Sequence, residues 1–198
     1  MYQSVLADAR FYALLHRIDG DIAAAGQLRG CPHCGGRLDS ARYPRKPRGA
    51  LCALGDEYGY RFSFCCAEEG CRRRMTPPSV RFLGRRVYLG AVVVIASVML
   101  HGPSPARIQA LHELFGVSPE TAARWQWFWR EIFVESRTWR AARGMFGAIV
   151  DAALLPLSLV ERFAGAAFDR LVATLRLLAP LTTGSAGHIG IEVAEGGS

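Results

Sequence analysis

The chain has 198 residues, of which 51% are hydrophobic and 21% are charged, and this composition excludes an intrinsically disordered protein. Its length suits one or two small domains with hydrophobic cores of their own. Lys and Arg outnumber Asp and Glu by 24 to 17, which gives a formal net charge of +7 and favours a polyanionic partner.

The excess positive charge is concentrated in one part of the chain. Residues 31–86 contain 12 basic and 5 acidic residues, whereas residues 1–30 are neutral overall. Of the 24 basic residues, 23 are arginine, whose planar guanidinium suits phosphate groups and guanine edges. An arginine-rich composition can also reflect a GC-rich genome, but that bias would not segregate charge along the chain. The distribution therefore favours a nucleic-acid partner.

The first thirty residues predict a helix and no targeting signal. Apolar residues recur at helical spacing between Ser4 and Ile18, and charged residues interrupt them, so this segment is not a signal peptide. We expect the buried side of this helix to be formed by Val5, Leu6, Ala9, Tyr12 and Leu15. An apolar run at 87–100 has 14 residues, fewer than the ~20 that a spanning helix needs. We therefore expect a cytoplasmic protein that is not embedded in a membrane.

Six cysteines follow, and their spacing predicts a zinc site. Cys31 and Cys34 lie in the sequence CPHCGG, in which two thiolates three positions apart can bind one ion from a tight turn. A second pair must complete the tetrahedron, and Cys66 with Cys71 is the preferred choice, with Cys65 as the alternate. The alternatives are buried free thiols or a redox pair, but a redox CxxC normally opens a helix, which two glycines disfavour here.

A basic loop with two prolines, residues 42–48, lies between the two cysteine pairs, and further arginines follow the second pair at 72–74, 81 and 85–86. Prolines keep these segments extended, so their side chains suit a phosphate backbone, although a basic loop can also be merely solvated. The candidate DNA contacts in this region are Arg45, Lys46, Arg48, Arg72, Arg73, Arg74, Arg85 and Arg86.

From residue 87 onward the pattern is helical. The run 87–100 is apolar on all sides, which predicts one buried central helix. Ser104 caps a second helix that Gly116 ends, and Ser118 caps a third helix that runs to about Val134. Two short helices joined by a turn that contains glycine are typical of a helix-turn-helix, and also of a plain hairpin in a helical bundle.

In a helix-turn-helix, one face of the second helix packs inward and the other meets base edges in the major groove. Ala122 and Trp125 fall on the inward face. We expect DNA contacts from the opposite face, which carries Glu120, Thr121, Arg124, Trp127 and Arg130.

The order of these motifs resembles the N-terminal part of insertion-sequence transposases. Over about residues 28–135 the chain carries CPHCGG, a basic spacer, YRFSFCC with CRRR, an apolar helix and GVSPETAARW. Those transposases begin with a zinc ribbon followed by a helix-turn-helix. The resemblance implies DNA binding in a mobile-element context.

We expect the catalytic chemistry of those transposases to be absent, and the protein not to be an enzyme. Strand transfer needs three carboxylates on an RNase-H-like sheet, where they hold two divalent metals. The segment after Arg143 predicts helices rather than strands. Its only acidic residues are Asp151, Glu161, Asp169, Glu192 and Glu195.

The last part of the chain predicts one or two amphipathic helices within 144–181, broken at Pro156. Apolar residues recur there at a spacing near four, at Leu159, Phe163, Ala167, Leu171, Leu175 and Leu178. We expect this stripe to pack on the chain's own core or to form a homodimer. Residues 182–198 predict a flexible tail.

Together these features predict a mainly α-helical fold with a small zinc-ribbon β module, a helix-turn-helix and a helical C-terminal region. The expected units are an N-terminal helix (1–27), the zinc ribbon (28–76), the helix-turn-helix domain (77–140), an amphipathic module (141–181) and the tail. We expect a protein that needs Zn²⁺ and binds double-stranded DNA as an accessory protein, a regulator or an inactive transposase derivative, with a recombinase or transposase as a further partner. The alternative is a protein-interaction scaffold with a structural zinc ribbon.

Overall fold

A computed structural model of the chain describes residues 2–83, 88–100, 104–146 and 150–183. Its α-helices are α1 (Tyr2–Leu6), α2 (Ala9–Leu28), α3 (Gly90–Met99), α4 (Pro105–Phe115), α5 (Pro119–Trp127), α6 (Arg137–Ala142), α7 (Leu157–Val160) and α8 (Ala167–Leu178). Its β-strands are β1 (Leu38–Pro44), β2 (Tyr60–Cys66) and β3 (Arg74–Met75). Short 3₁₀ turns span Asp56–Gly59, Arg143–Met145, Ala152–Leu154 and Ala179–Thr182. The predicted fold class, mainly α-helical with a small β module, is confirmed.

The N-terminal segment forms two helices where the sequence predicts one. The Asp8 carboxylate accepts a hydrogen bond from the Arg10 backbone N–H at 2.9 Å and caps α2, so the helical path breaks before Ala9. α2 then continues to Leu28, past the apolar pattern of residues 4–18 and close to the end of the expected N-terminal helix at residue 27. Because of the break, Ala9 is exposed rather than buried. The other residues predicted for the buried side are buried, namely Val5, Leu6, Tyr12 and Leu15.

α3 lies at the centre of the main hydrophobic core. Its residues from Gly90 to Ser97 are all buried, as its all-round apolar sequence predicts, and it contacts α1, α4, α5 and α8. The helix is shorter than the predicted run 87–100, because Leu89 is extended and forms a β-bridge with Phe82. The core is therefore built around α3 by helices that precede and follow it in the chain.

The two helices after α3 begin at the predicted caps. The Ser104 hydroxyl accepts the Arg107 N–H at 3.3 Å at the start of α4, and the Ser118 hydroxyl accepts the Thr121 N–H at 3.3 Å at the start of α5. Gly116 ends α4 with a φ of 63°, in the left-handed region that favours glycine. The chain turn between α4 and α5 is thus the one that the sequence predicts.

A π-helical turn, Phe128–Phe133, continues α5. The sequence predicts one regular helix to Val134, so this wider turn is a departure from the prediction. The turn coincides with the burial of two large rings, Trp129 and Phe133, whose centroids lie 5.0 Å apart.

The C-terminal segment is divided twice. Pro156 precedes α7, where the sequence predicts a break. Gly165, with a φ of 96°, adds a second break before α8, so the predicted apolar stripe does not lie on one helix. Most of the stripe is nevertheless buried in the main core, at Leu159, Ala167, Leu171, Leu175 and Leu178. Packing on the chain's own core is therefore confirmed for these residues, and a homodimer stays a prediction.

The three strands form an antiparallel sheet in the order β1-β2-β3. Residues 42–44, predicted as part of a basic loop, belong to β1, where Pro44 pairs with Tyr60. The alternation of YGYRFSF over residues 58–64 predicts a strand, but β2 begins only at Tyr60, since Tyr58 lies in a 3₁₀ turn and is buried in the main core. Between α2 and the sheet lies a second, smaller core formed by Ala23, Cys31, Leu38, Phe64 and Cys66.

A buried polar network joins α2 to the connector after β3. Asp19 on α2 is 1% exposed, and its carboxylate accepts hydrogen bonds from Arg81 Nε at 2.8 Å, Ser79 Oγ at 2.6 Å and the Val80 N–H at 2.6 Å. Arg81 is also fully buried, and its guanidinium lies 5.0 Å from the centroid of the Tyr58 ring. The charge of each partner is thus compensated inside the protein.

A second branch of this network connects β2 to the connector after β3 and to the 3₁₀ turn after α8. Arg61 on β2 is buried, and its Nη2 donates to the carbonyl oxygens of Pro77 at 3.0 Å and Thr182 at 2.8 Å. Burial lowers the pKa of the Arg61 guanidinium to about 10. The Thr182 hydroxyl accepts the Ser79 N–H at 2.9 Å, which connects both branches.

These contacts correct the predicted start of the flexible tail. Thr182, its first residue, is buried and hydrogen-bonded, and residues 184–198 lie outside the described part of the chain. In the described part, no helix is both long and apolar enough to cross a membrane.

Candidate metal centre and basic surface

Four cysteine side chains meet beside the end of α2. Cys31 and Cys34 lie in the turn between α2 and β1, Cys66 ends β2, and Cys71 lies in the turn before β3. The four Sγ atoms all lie within 4.8 Å of one another. Cys31 Sγ is 3.7 Å from Cys71 Sγ, and Cys34 Sγ is 3.5 Å from Cys66 Sγ. The structure thus brings together the four cysteines whose spacing predicts the metal site, with Cys66 rather than Cys65.

The geometry of this cluster fits one tetrahedral metal ion. Zn–S bonds of ~2.3 Å place the sulfurs of a tetrahedral site ~3.8 Å apart, close to the two distances above. The same distances are far longer than the ~2.05 Å of a disulfide bond. Four thiolate donors suit Zn²⁺ or iron, and they leave no coordination position for a substrate. The cluster can therefore hold one ion in a structural role.

The first pair of cysteines depends on two glycines. Gly30 and Gly35 have φ values of 76° and 73°, which a residue with a Cβ rarely adopts. The Cys31 N–H donates to the Gly36 carbonyl at 2.8 Å, and the Gly35 N–H donates to the Cys31 carbonyl at 2.8 Å. A Cβ at Gly30 would lie only 2.7 Å from the Gly35 carbonyl oxygen. The turn therefore closes around Cys31 only with glycine at position 30.

Backbone N–H groups of both turns are directed at the sulfurs. Hydrogen bonds from the N–H of His33 and, to a lesser extent, of Cys34 lower the pKa of the Cys31 thiol to about 7. Cys66 accepts a similar bond from the Glu68 N–H, but burial outweighs it and raises the pKa of the Cys66 thiol to about 12. A bound cation would favour the thiolate form of all four cysteines.

Three other candidate ligands lie outside the cluster. Side chains alternate along a strand, so Cys65 projects from the face of the sheet opposite to Cys66, and its Sγ donates to a backbone carbonyl before β3 at 3.6 Å. His33 Nδ1 lies 3.0 Å from Arg73 Nη1 and so faces a cation, not the sulfurs. Cys52 packs against the main core. Both His33 and Cys52 thus lie apart from the cysteine cluster.

An exposed run of arginine follows the last cysteine of the cluster. Arg72, Arg73 and Arg74 are all exposed, and Arg72 has a φ of 46° in the turn that leads into β3. The three arginines follow Cys71 of the cluster directly in sequence. Two further predicted contacts, Arg85 and Arg86, lie outside the described residues.

The loop after β1 carries the other predicted basic residues. Lys46 and Arg48 are exposed. Arg45 is half-buried, and its guanidinium lies 4.7 Å from the ring centroid of Tyr43, which itself is 44% exposed. Arg45 is thus held by a cation–π contact, whereas its two basic neighbours extend into solvent.

α5 and the π-helical turn present the predicted outward side chains, with one exception. Ala122 and Trp125 are buried as predicted. Thr121 is also buried, because it lies one helical turn before the buried Trp125 and on the same face of α5, and its hydroxyl accepts a hydrogen bond from Arg124 Nη2 at 2.9 Å. The prediction of Thr121 as a DNA contact is corrected by this burial. The exposed members of the set are Glu120, Arg124, Trp127 and Arg130.

One contact in this region was not expected from the sequence. The Arg42 guanidinium lies 4.4 Å from the ring centroid of Tyr60, across the β1–β2 pair. Arg42 lies in the basic run 42–48, which the sequence predicts as a loop. The first residues of that run belong to β1 instead, and this pairing brings Arg42 to the aromatic residues of β2.

Comparison of the chain with family models, with curated proteins and with solved structures finds no match.

Proposed function

We propose that this protein binds one Zn²⁺ as a structural ion and uses the ordered module to bind double-stranded DNA. The observation that carries the proposal is the position of Arg72, Arg73 and Arg74, all exposed and next in sequence to the cysteine cluster. An ion in the cluster would order the turn that carries these arginines. Arginine is the side chain best suited to contact phosphate oxygens.

Zinc is the proposed metal because of the donors and the size of the module. All four donors are cysteine, and the set offers no open position, as in structural zinc sites. Among the described residues, the core beneath the sheet has five buried members, too few to stabilise the module alone. Metal binding would supply that missing free energy.

The exposed face of α5 supports the DNA part of the proposal. Trp127 is 46% exposed, whereas Trp125, Trp129 and Trp139 are 5% exposed or less. Trp127 lies between two exposed arginines in sequence, Arg124 and Arg130. An aromatic residue flanked by arginines suits a DNA groove better than it suits solvent.

The biological setting that we propose rests on the resemblance to insertion-sequence transposases. That resemblance favours an accessory protein, a regulator or an inactive derivative that acts with a recombinase. We propose a role in binding rather than in catalysis, because the cysteine cluster leaves no position for a substrate.

Salt-dependent binding tests the proposal. Fluorescence anisotropy with a labelled duplex should show log K falling linearly with log[NaCl]. The triple variant Arg72→Ala, Arg73→Ala, Arg74→Ala should bind every duplex more weakly and flatten the slope by up to ~3 units, since about one counterion is released for each phosphate contact.

The matched control removes the same charge elsewhere. Arg137, Arg162 and Arg176 are also exposed, and their replacement by Ala should leave the slope unchanged. Absence of duplex binding at low salt would reject the DNA proposal. The interaction scaffold, with the same metal site, would then be the better interpretation.

A further inference from the structure

Two arginine–tyrosine pairs lie at the end of the β1–β2 ladder that is farthest from the cysteine cluster. Arg42 lies 4.4 Å from the Tyr60 ring centroid, and Arg45 lies 4.7 Å from the Tyr43 ring centroid. Tyr43 is among the few large hydrophobic side chains left exposed in the described residues, with 44% of its surface accessible. Since Arg45 covers one face of the Tyr43 ring, this exposure belongs to the rest of the ring.

The segment of chain around Tyr43 is basic, and its nearest acidic residues in sequence are Asp39 and Asp56. Residues 40–55 contain four basic residues and no acidic one. β1 is an edge strand of the sheet, so no further strand covers its outer side among the residues described. We define the Tyr43 surface as Tyr43, Arg45, Lys46 and Arg48, without Arg42, whose side chain lies on the opposite face of β1.

We infer that the Tyr43 surface binds single-stranded DNA, with one unpaired base stacked on the Tyr43 ring. An exposed ring among cations is what single-strand binding uses, since every base has a π-face and the phosphates follow a positively charged path. A duplex keeps its bases stacked inside, so it could contact the cations but not the ring face. Arg45 stacked beneath the ring holds the ring in place and adds a cation–π contact.

The exposed cations of this surface have a separate role. Lys46 and Arg48 are exposed, so their charged groups can contact phosphates that flank the stacked base. The inference deepens the proposed function, because it rests on nucleic-acid binding and names an unpaired strand as a second ligand. It separates a surface for single strands at the end of β1 from the proposed duplex contacts, which are Arg72, Arg73 and Arg74 and the exposed face of α5.

Anisotropy with fluorescein-labelled oligo(dT) and a labelled duplex tests this inference on the zinc-loaded full chain. Tyr43→Ala should weaken oligo(dT) binding about 5- to 150-fold, the effect of losing one base–aromatic stack. Tyr43→Phe keeps the ring and should bind oligo(dT) like the parent protein. Duplex affinity should be the same for all three proteins.

A cross-linking measurement keeps the test independent of that variant's folding. Irradiation of the parent protein with oligo(dT) that carries 5-iodouracil should yield a cross-link at Tyr43, mapped by mass spectrometry. Oligo(dT) affinity that Tyr43→Ala leaves unchanged, or cross-links only at other residues, would overturn the inference. Duplex binding without any oligo(dT) binding would also overturn it and leave the proposed function intact. Failure to bind either DNA at low salt would overturn both.

Discussion

Cys65 and Cys66 are neighbours in sequence, but the pleat of β2 sends their side chains to opposite faces of the sheet. Cys66 is fully buried beside the other three cysteines, and Cys65 is half-buried against the turn before β3. The sequence alone leaves these two thiols as alternatives, because the spacing to Cys71 suits either of them. The register of Leu38 opposite Cys66 is the long-range fact that distinguishes them.

The first prediction separates these two thiols by metal content. Cys66→Ser should reduce the zinc in freshly purified protein to less than about half an equivalent, since three thiolates hold the ion weakly. Cys65→Ser, the matched control, should retain one equivalent. Elemental analysis by mass spectrometry gives both values. Loss of zinc from the Cys65 variant alone would contradict the cluster described above.

Asp19 and Arg81 form the one ion pair of the described residues in which both side chains are fully buried. Each residue stabilises the fold by neutralising its partner, because either one alone would be an unpaired buried charge. Nothing local in the sequence indicates this pair, since Asp19 occupies an amphipathic helix and Arg81 follows a proline-rich connector. The two residues are brought together only when α2 packs on that connector.

The second prediction concerns the stability that depends on this pair. Asp19→Asn preserves the volume of the side chain but leaves the Arg81 charge uncompensated, and it should lower the free energy of unfolding by about 3–5 kcal/mol. Asp21→Asn, on the exposed side of the same helix, should change it by less than about 0.5 kcal/mol. Urea denaturation followed by circular dichroism measures both. Equal midpoints for the two variants would show that the pair does not stabilise the fold.

At the scale of elements, the sequence predicts best where the signals are local. The starts of α4 and α5 were predictable because the hydroxyls of Ser104 and Ser118 lie within three residues of the N–H groups that they cap. The cap at Asp8 is equally local, but the apolar spacing runs through it, so the periodicity predicts one continuous helix there. The division of the C-terminal stripe at Gly165 was missed for the same reason. Periodicity shows which residues are buried more reliably than where a helix stops.

The third prediction belongs to α5. Arg124, held by its hydrogen bond to the Thr121 hydroxyl, is placed to reach a base edge if α5 enters a major groove. Arg124→Ala should then weaken binding to a selected duplex by ~1–3 kcal/mol and relax the preference at one base pair. Selection from a random duplex library, repeated with the variant, measures both effects. Arg176→Ala, an exposed arginine of α8, is the control and should keep the full preference.

At the scale of the whole molecule, the described residues contain two hydrophobic cores of very different size. The larger one surrounds α3 and includes residues from α1 through α8, whereas the smaller one has five buried members beneath the sheet. Arg61 and the Asp19 network bridge the two through buried hydrogen bonds. Because the large core has many more buried members, we expect it to persist when the small one is lost, despite these hydrogen bonds.

The fourth prediction follows from that difference in size. Removal of the metal by a strong chelator should abolish amide protection in residues 31–43 and 64–75, because the small core depends on the ion. Protection in α3 and α8 should remain close to that of the metal-bound protein. Hydrogen exchange with mass spectrometry resolves these regions. Loss of protection throughout the chain would mean that the metal stabilises the large core as well.

The central position of α3 also has a consequence for the synthesis of the protein. Its first turn packs against α8, where a Cβ at Gly90 would lie 3.2 Å from Leu175. At ribosomal rates, the interval between the emergence of these two helices is on the order of ten seconds. During that interval the most apolar helix of the nascent chain lacks one of its covering surfaces, so it is a ready target for chaperones or for aggregation. The yield of folded protein in a cell is therefore set by the handling of the growing chain as well as by the stability of the finished one.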